Sequence, residues 1–204
     1  MLKRASNILV WLLLTSSVGW SQTTFNGGFF IGLTSNQIDG DGIGGFDHTG
    51  AQGGFFANRD FNDTWSARIE LQYIWRGSRE KLSDTSSFYR TDLHQISVPI
   101  VAEYHFTPKI SIEAGPSLDI NVITSEEDIY GDLGPDPPYS PFVLNSIIGV
   151  NYAITEHTIV NLRSHYSITS IRDVRIVRRA PGLFGDWISG SHTASLTLAV
   201  YFYF

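Results

Sequence analysis

His165 and Ser167 stand two residues apart in an alternating stretch, the spacing at which an imidazole and a hydroxyl share one face of a strand. A serine nucleophile activated by a histidine base, with an acid such as Asp173, would suit a lipid-modifying hydrolase. The alternation turns both residues away from the apolar face, however, where an acyl substrate does not reach. Five other residues sit on that polar face: Arg68, Glu70, Glu103, Glu113 and Arg163, with Arg76 and Asp119 farther along the same strands. Charges enclosed in a protein must pair, because desolvating an isolated ion costs far more than folding can supply. The expected outcome is a network of Arg68, Arg163, Glu70, Glu103 and Glu113 that fills one half of a lumen, with Arg76 and Asp119 as a second layer. A gated pore or proton path is the competing use of the same groups.

Two further constellations lie between strands. The segment 124–141 carries Glu126, Glu127, Asp128, Asp132 and Asp136 among four prolines, and the connection after strand seven carries Arg172, Arg175, Arg178 and Arg179. Loops of opposite sign either neutralise one another or grip lipopolysaccharide phosphates and a partner protein. Exposed ion pairs carry little energy, so mutual compensation is the expectation. Asp39-Gly40-Asp41-Gly42 with Asp47 has some flavour of a calcium loop but lacks the closing bidentate glutamate of an EF-hand. No motif calls for a metal or a cofactor.

The elements that position these groups read as strands. From Trp65 to Arg76 one face collects Trp65, Ala67, Ile69, Leu71, Tyr73 and Trp75, and the other mostly polar residues; Ile110 to Val122 repeats the division. Segments 94–106, 142–154 and 158–171 follow less strictly, and the stretches near 25–35 and 46–58 are rich in glycine. With the terminal strand ending on Phe204, eight strands result. Short turns at 58–64, 107–109 and 155–157 alternate with long loops at 36–45, 77–93, 124–141 and 172–190. That rhythm predicts an all-β, eight-stranded antiparallel up-and-down transmembrane barrel. A soluble barrel with its apolar face inward would have to hold Trp65, Tyr73, Trp75, Tyr104, Phe106, Tyr152, Tyr166, Phe202 and Phe204 in an interior barely wide enough for ordinary side chains. Those aromatics suit lipid and its interfaces.

Lys3 and Arg4 precede an apolar run from Ile8 to Leu14, and Gly19 and Ser21 stand at the small-residue positions before Gln22. The run is too short for a membrane helix, so residues 1–21 read as a cleaved signal peptide and 22–204 as the barrel domain, exported to a Gram-negative outer membrane. Removing 1–21 moves the formal net charge from −6 to −8, which speaks against nucleic acid. Cysteine is absent, so closure rests on hydrogen bonds and packing.

Ile69-Glu70-Leu71-Gln72-Tyr73 with Gly77-Ser78, Ile96-Ser97-Val98-Pro99-Ile100 followed by Glu103-Tyr104-His105-Phe106, and Ile112-Glu113-Ala114-Gly115-Pro116 together resemble the PorT-like outer membrane beta-barrel family of Bacteroidota. The ending, with Tyr166 and Ile171 before Phe202 and Phe204, is similar too, while Ser167-Ile168 and the proline-rich loop depart from it. The resemblance implies an eight-stranded barrel, with some relatives in type IX secretion and gliding, and it supplies no catalytic residues. The reading is a non-enzymatic accessory or scaffold subunit of an outer-membrane assembly. Its expected partners are outer-membrane lipid, lipopolysaccharide and other outer-membrane or periplasmic proteins; a hydrolase using His165 and Ser167 is the alternative. The glycine-rich first strands, with Gly27 and Gly53, are expected to let a partner helix or barrel approach closely.

Overall fold

The computed structural model describes residues 25–40, 45–80, 89–134, 137–172 and 190–204. The expected signal peptide, residues 1–21, lies outside them. Among the described residues, eight long strands run in chain order: β1 (Phe25–Asp39), β2 (His48–Asp60), β3 (Trp65–Arg79), β4 (Tyr89–His105), β5 (Ile110–Asp128), β6 (Phe142–Thr155), β7 (Thr158–Ser167) and β8 (His192–Tyr203). Each pairs antiparallel with its sequence neighbour, and β1 closes on β8 through a ladder from Gly28↔Tyr203 to Asp39↔His192. Closure leaves the barrel without an open edge, so each strand's backbone groups find partners inside the sheet, as hydrocarbon surroundings require. The turns after β2, β4 and β6 are short, and the start of β1 and the end of β8 lie on their side, the periplasmic side of such barrels.

The burial pattern inverts that of a soluble protein. Leu71 is 57 % exposed on the outer wall, whereas Arg68 and Glu113, on the opposite parity, are each 1 % exposed inside. Trp65 meets Tyr104 edge-on at 5.0 Å, and Tyr104 meets Phe106 at 4.9 Å, near the periplasmic end. Tyr73, Trp75 and His94 stack near the other end. Amphipathic rings at the two rims suit the membrane interfaces.

Strands run farther outward than their alternation predicts. Arg79↔Arg90 and Tyr89↔Asp128 are still in register, within segments expected as loops, and residues 131–132 add a short turn-back on the end of β5. Above the lipid the outer face of a strand meets water instead of hydrocarbon, so the contrast between the two faces fades while the ladder continues. A bulge between His94 and Gln95 also resets parity there. Conversely β7 stops at Ser167, and among the described residues the Arg172↔Ser191 bridge follows it as an isolated pairing.

The Pro-Ile and Gly-Pro pairs face each other at a gap in the β4–β5 ladder, which skips from Pro99↔Ser117 to Ala102↔Ala114. Neither Pro99 nor Pro116 can donate a backbone hydrogen bond. Gly115 fits that gap because a Cβ there would lie 2.0 Å from the Ile100 carbonyl oxygen.

Candidate functional site

The lumen is crossed by a cluster contributed by all six strands from β3 to β8. Alternation places Arg68 and Glu70 on the same face of β3, and Arg68 Nε donates to Glu70 Oε1 at 2.8 Å. From β7, Arg163 grips the same carboxylate with both terminal nitrogens, at 2.9 and 2.8 Å, a bidentate geometry that fits a planar guanidinium to a carboxylate. Glu113 of β5 lies between the two arginines. It accepts from Arg163 Nε at 2.6 Å, from Arg68 Nη2, from Asn161 at 2.8 Å and from Asn151 at 3.2 Å. Arg68 Nη1 makes a close ion pair with Glu103 Oε1 at 2.7 Å, off the hydrogen-bond line. The Tyr201 hydroxyl donates to Glu70 at 3.1 Å, and the Arg68 guanidinium lies over the Tyr201 ring at 4.6 Å.

A second layer lies toward the outer end. Arg76 pairs with Asp119 and donates to Gln95 at 3.1 Å and to His165 Nδ1 at 3.0 Å. Asp119 also accepts from Ser97 at 2.5 Å and Ser117 at 3.0 Å. Because arginine only donates, His165 Nδ1 must offer its lone pair to Arg76.

That bond removes His165 Nδ1 as a base for Ser167. The Ser167 hydroxyl instead accepts from Thr193 N at 2.9 Å and lies 3.4 Å from His192 Nδ1, which is 2.9 Å from the Ser167 carbonyl oxygen. No nucleophile and base are aligned here, and Asp173 lies outside the described residues. No group of His, Cys, Asp and Glu among the described residues could hold a metal ion. Asp41 and Gly42 of the calcium-like segment lie outside them.

At the outer mouth the two loops meet through Glu126 and Arg172, which form an ion pair. Tyr139 donates to Glu126 at 2.5 Å and Tyr89 at 3.0 Å, and the Arg172 guanidinium lies 5.0 Å from the Tyr139 ring centre. Beneath them Ile38, Leu93, Val143 and Ile171 form an apolar layer against which Tyr139 packs. Glu127 is exposed, and Asp128 is half-buried and accepts from the Tyr130 backbone at 2.7 Å. Arg175, Arg178 and Arg179 lie outside the described residues. Burial, then the hydrogen bond to Glu126, push the Tyr139 phenol above its ordinary value of 10.0. A raised folded-state value means the proton stabilises the closed mouth below the unfolded value, and that stability fades as pH rises through the folded one. The protection of backbone amides around Tyr139, taken relative to base-catalysed exchange of the free chain, should therefore be high at neutral pH and fall above pH about 10; Tyr139→Phe should remove the alkaline step.

Sequence reasoning missed several lumen residues. Phe30, Phe56 and Tyr201 form an apolar cluster inside the periplasmic half, with Phe30 and Tyr201 stacked at 4.4 Å. In Val200-Tyr201-Phe202-Tyr203 aromatic residues occupy both parities. The available signal was register: Tyr201 shares parity with Ser195 and Thr197, and both of those are buried.

A closed eight-stranded barrel with a hydrocarbon exterior and an ionised, packed interior defines a small outer-membrane β-barrel. The chain belongs to the outer membrane protein beta-barrel domain family, whose profile matches residues 19–173. Among solved structures it is similar to Ail, the attachment invasion locus protein of Yersinia pestis, in complex with the heparin analogue sucrose octasulfate. That match has 14 % identity and a TM-score of 0.51, over 88 % of this chain and 99 % of that one. Neisserial surface protein A is similar at 15 % identity and a TM-score of 0.52, over 88 % of this chain and 97 % of that one. At such identities the likeness establishes the fold alone. A search of curated protein sequences returns no match.

Proposed function

We propose that this chain is a non-enzymatic integral barrel of the outer membrane, exported by removal of residues 1–21, that serves as an accessory or scaffold subunit of a larger assembly. The PorT-like motifs point that assembly toward type IX secretion in Bacteroidota. The observation that carries the reading is the filled lumen. Arg68 and Arg163 cross it to Glu70, Glu103 and Glu113, and the apolar layer of Ile38, Leu93, Val143 and Ile171 lies nearer the outer mouth. Two barriers in series argue against a pore, and a His165 engaged by Arg76 argues against hydrolysis. What remains for contact is the outside: lipid along the wall, lipopolysaccharide and partner proteins at the loops.

Mild-detergent capture of the protein at native expression, with identification of what accompanies it, tests the reading. Stoichiometric outer-membrane or periplasmic partners are expected, together with no steady current in a planar bilayer and unchanged acylation of lipid A. A barrel that purifies alone, conducts steadily or alters lipid A overturns it.

A further inference from the structure

The outer wall is interrupted on β2. Its lipid-facing positions there are Ala51 and Gly53, and the ladders set Ile31 of β1 and Tyr73 of β3 on either side of Gly53. Below, Phe29 and Phe55 stand opposite each other and close the periplasmic end of the recess. The result is a groove of about 700 Å³, within the range of about 300–1,000 Å³ typical of ligand sites. It runs along one strand, from Phe55 toward the outer rim.

Width decides what fits. The flanking strands β1 and β3 are separated by two strand spacings, about 9–10 Å between centre lines, and the side chains of Ile31 and Tyr73 narrow the gap further. A helix is about 10–12 Å across with its side chains and cannot enter such a slot, so the approach of a partner helix expected at Gly53 does not suit this recess. A single hydrocarbon chain does. The groove is also continuous with the lipid-exposed wall. Next above Tyr73 on the same face of β3 stands Trp75, whose indole N–H donates to Asp92 at 2.8 Å. The Arg90 guanidinium pairs side-on with Asp92, through Nε at 2.7 Å and Nη2 at 3.1 Å, which leaves Nη1 outside the pair; the side chain is 32 % exposed and lies over the Trp75 ring at 5.8 Å. A half-exposed guanidinium with its Nη1 donor left over and an interfacial ring at the upper end, an apolar slot below them and an aromatic floor match a phosphate headgroup with one acyl tail beneath it.

We infer that the β2 groove is a binding site for one acyl chain of an outer-leaflet lipid, whose phosphate lies beside Arg90. The lipid fills the place of the side chains that Ala51 and Gly53 lack, and it restores a continuous apolar wall.

The test uses the full barrel refolded into vesicles of phosphatidylethanolamine and phosphatidylglycerol, extracted in mild detergent and weighed by native mass spectrometry. The wild type is expected to retain one lipid per barrel through detergent exchange. Gly53→Trp and Ala51→Phe fill the slot and should each lower the retained fraction about tenfold, the change expected when about two methylenes leave an apolar site. Ile148→Trp, on the lipid-facing side of β6, should retain the lipid as the wild type does. A Cβ at Gly53 would approach the Phe30 carbonyl oxygen to 3.2 Å. Ala51→Phe is free of that contact and keeps the test decisive if Gly53→Trp folds poorly, as judged by heat-modifiable gel migration. No retained lipid in the wild type, equal retention in both slot variants, or a dimer mass lost on filling the slot overturns the assignment.

Discussion

Glu113→Ala is expected to lower the unfolding free energy of the barrel in phospholipid vesicles by about 3–5 kcal/mol, the cost of leaving buried charges without their partner. Glu113 receives Arg163 Nε at 2.6 Å, Arg68 Nη2, Asn161 and Asn151, so its loss strands donors from three strands at once. Neither arginine can respond by losing its proton, since a guanidinium stays charged under all ordinary conditions. Urea unfolding followed by the heat-modifiable gel shift measures the effect. Adding Arg163→Met to Glu113→Leu should not recover the loss, because Glu70 then gives up the bidentate partner that Arg163 supplies. A single-variant loss below about 1 kcal/mol would mean that water reaches the cluster as it does a surface pair, and the lumen would not be sealed there.

Leu71→Arg tests the other face. Leu71 lies near the middle of β3, two-way neighboured by Phe55 and the β4 wall, and points outward. Arginine at the bilayer midplane on the lipid face of a barrel costs about 2–4 kcal/mol. The same unfolding assay should register that loss in vesicles. Glu127→Arg, on the exposed extension of β5, should change stability by no more than about 0.5 kcal/mol. If the two substitutions cost the same, the outer wall does not face hydrocarbon.

The parts of the fold legible in the sequence are those where lipid and lumen impose opposite chemistry on neighbouring residues. Along Trp65–Arg76 and Ile110–Val122 each side chain's type declares its face, and the short turns between such runs order the strands. Legibility fails where that contrast disappears. Residues 123–128 of β5 rise above the membrane and pair with β4 without a clean period. Val200-Tyr201-Phe202-Tyr203 is nearly aromatic on both faces, and the ladder with β1 decides that Tyr201 turns inward against Phe30. The site follows the same division. Parity assigns Arg68, Glu70, Glu103, Glu113 and Arg163 to the polar face, but it does not say that Arg163 takes Glu70 bidentately or that Tyr139 joins Glu126 and Arg172 at the mouth.

By itself the sequence determined a closed all-β barrel and which residues of its central strands face lipid, because a strand's period of two is a local property that each residue's chemistry reveals. Only the tertiary structure decided which charges meet across the lumen, which apolar residues layer its outer half, and where the wall is recessed at Gly53. Those depend on stagger accumulated around the closed cylinder, where one shifted pair in any ladder changes every neighbour across the interior.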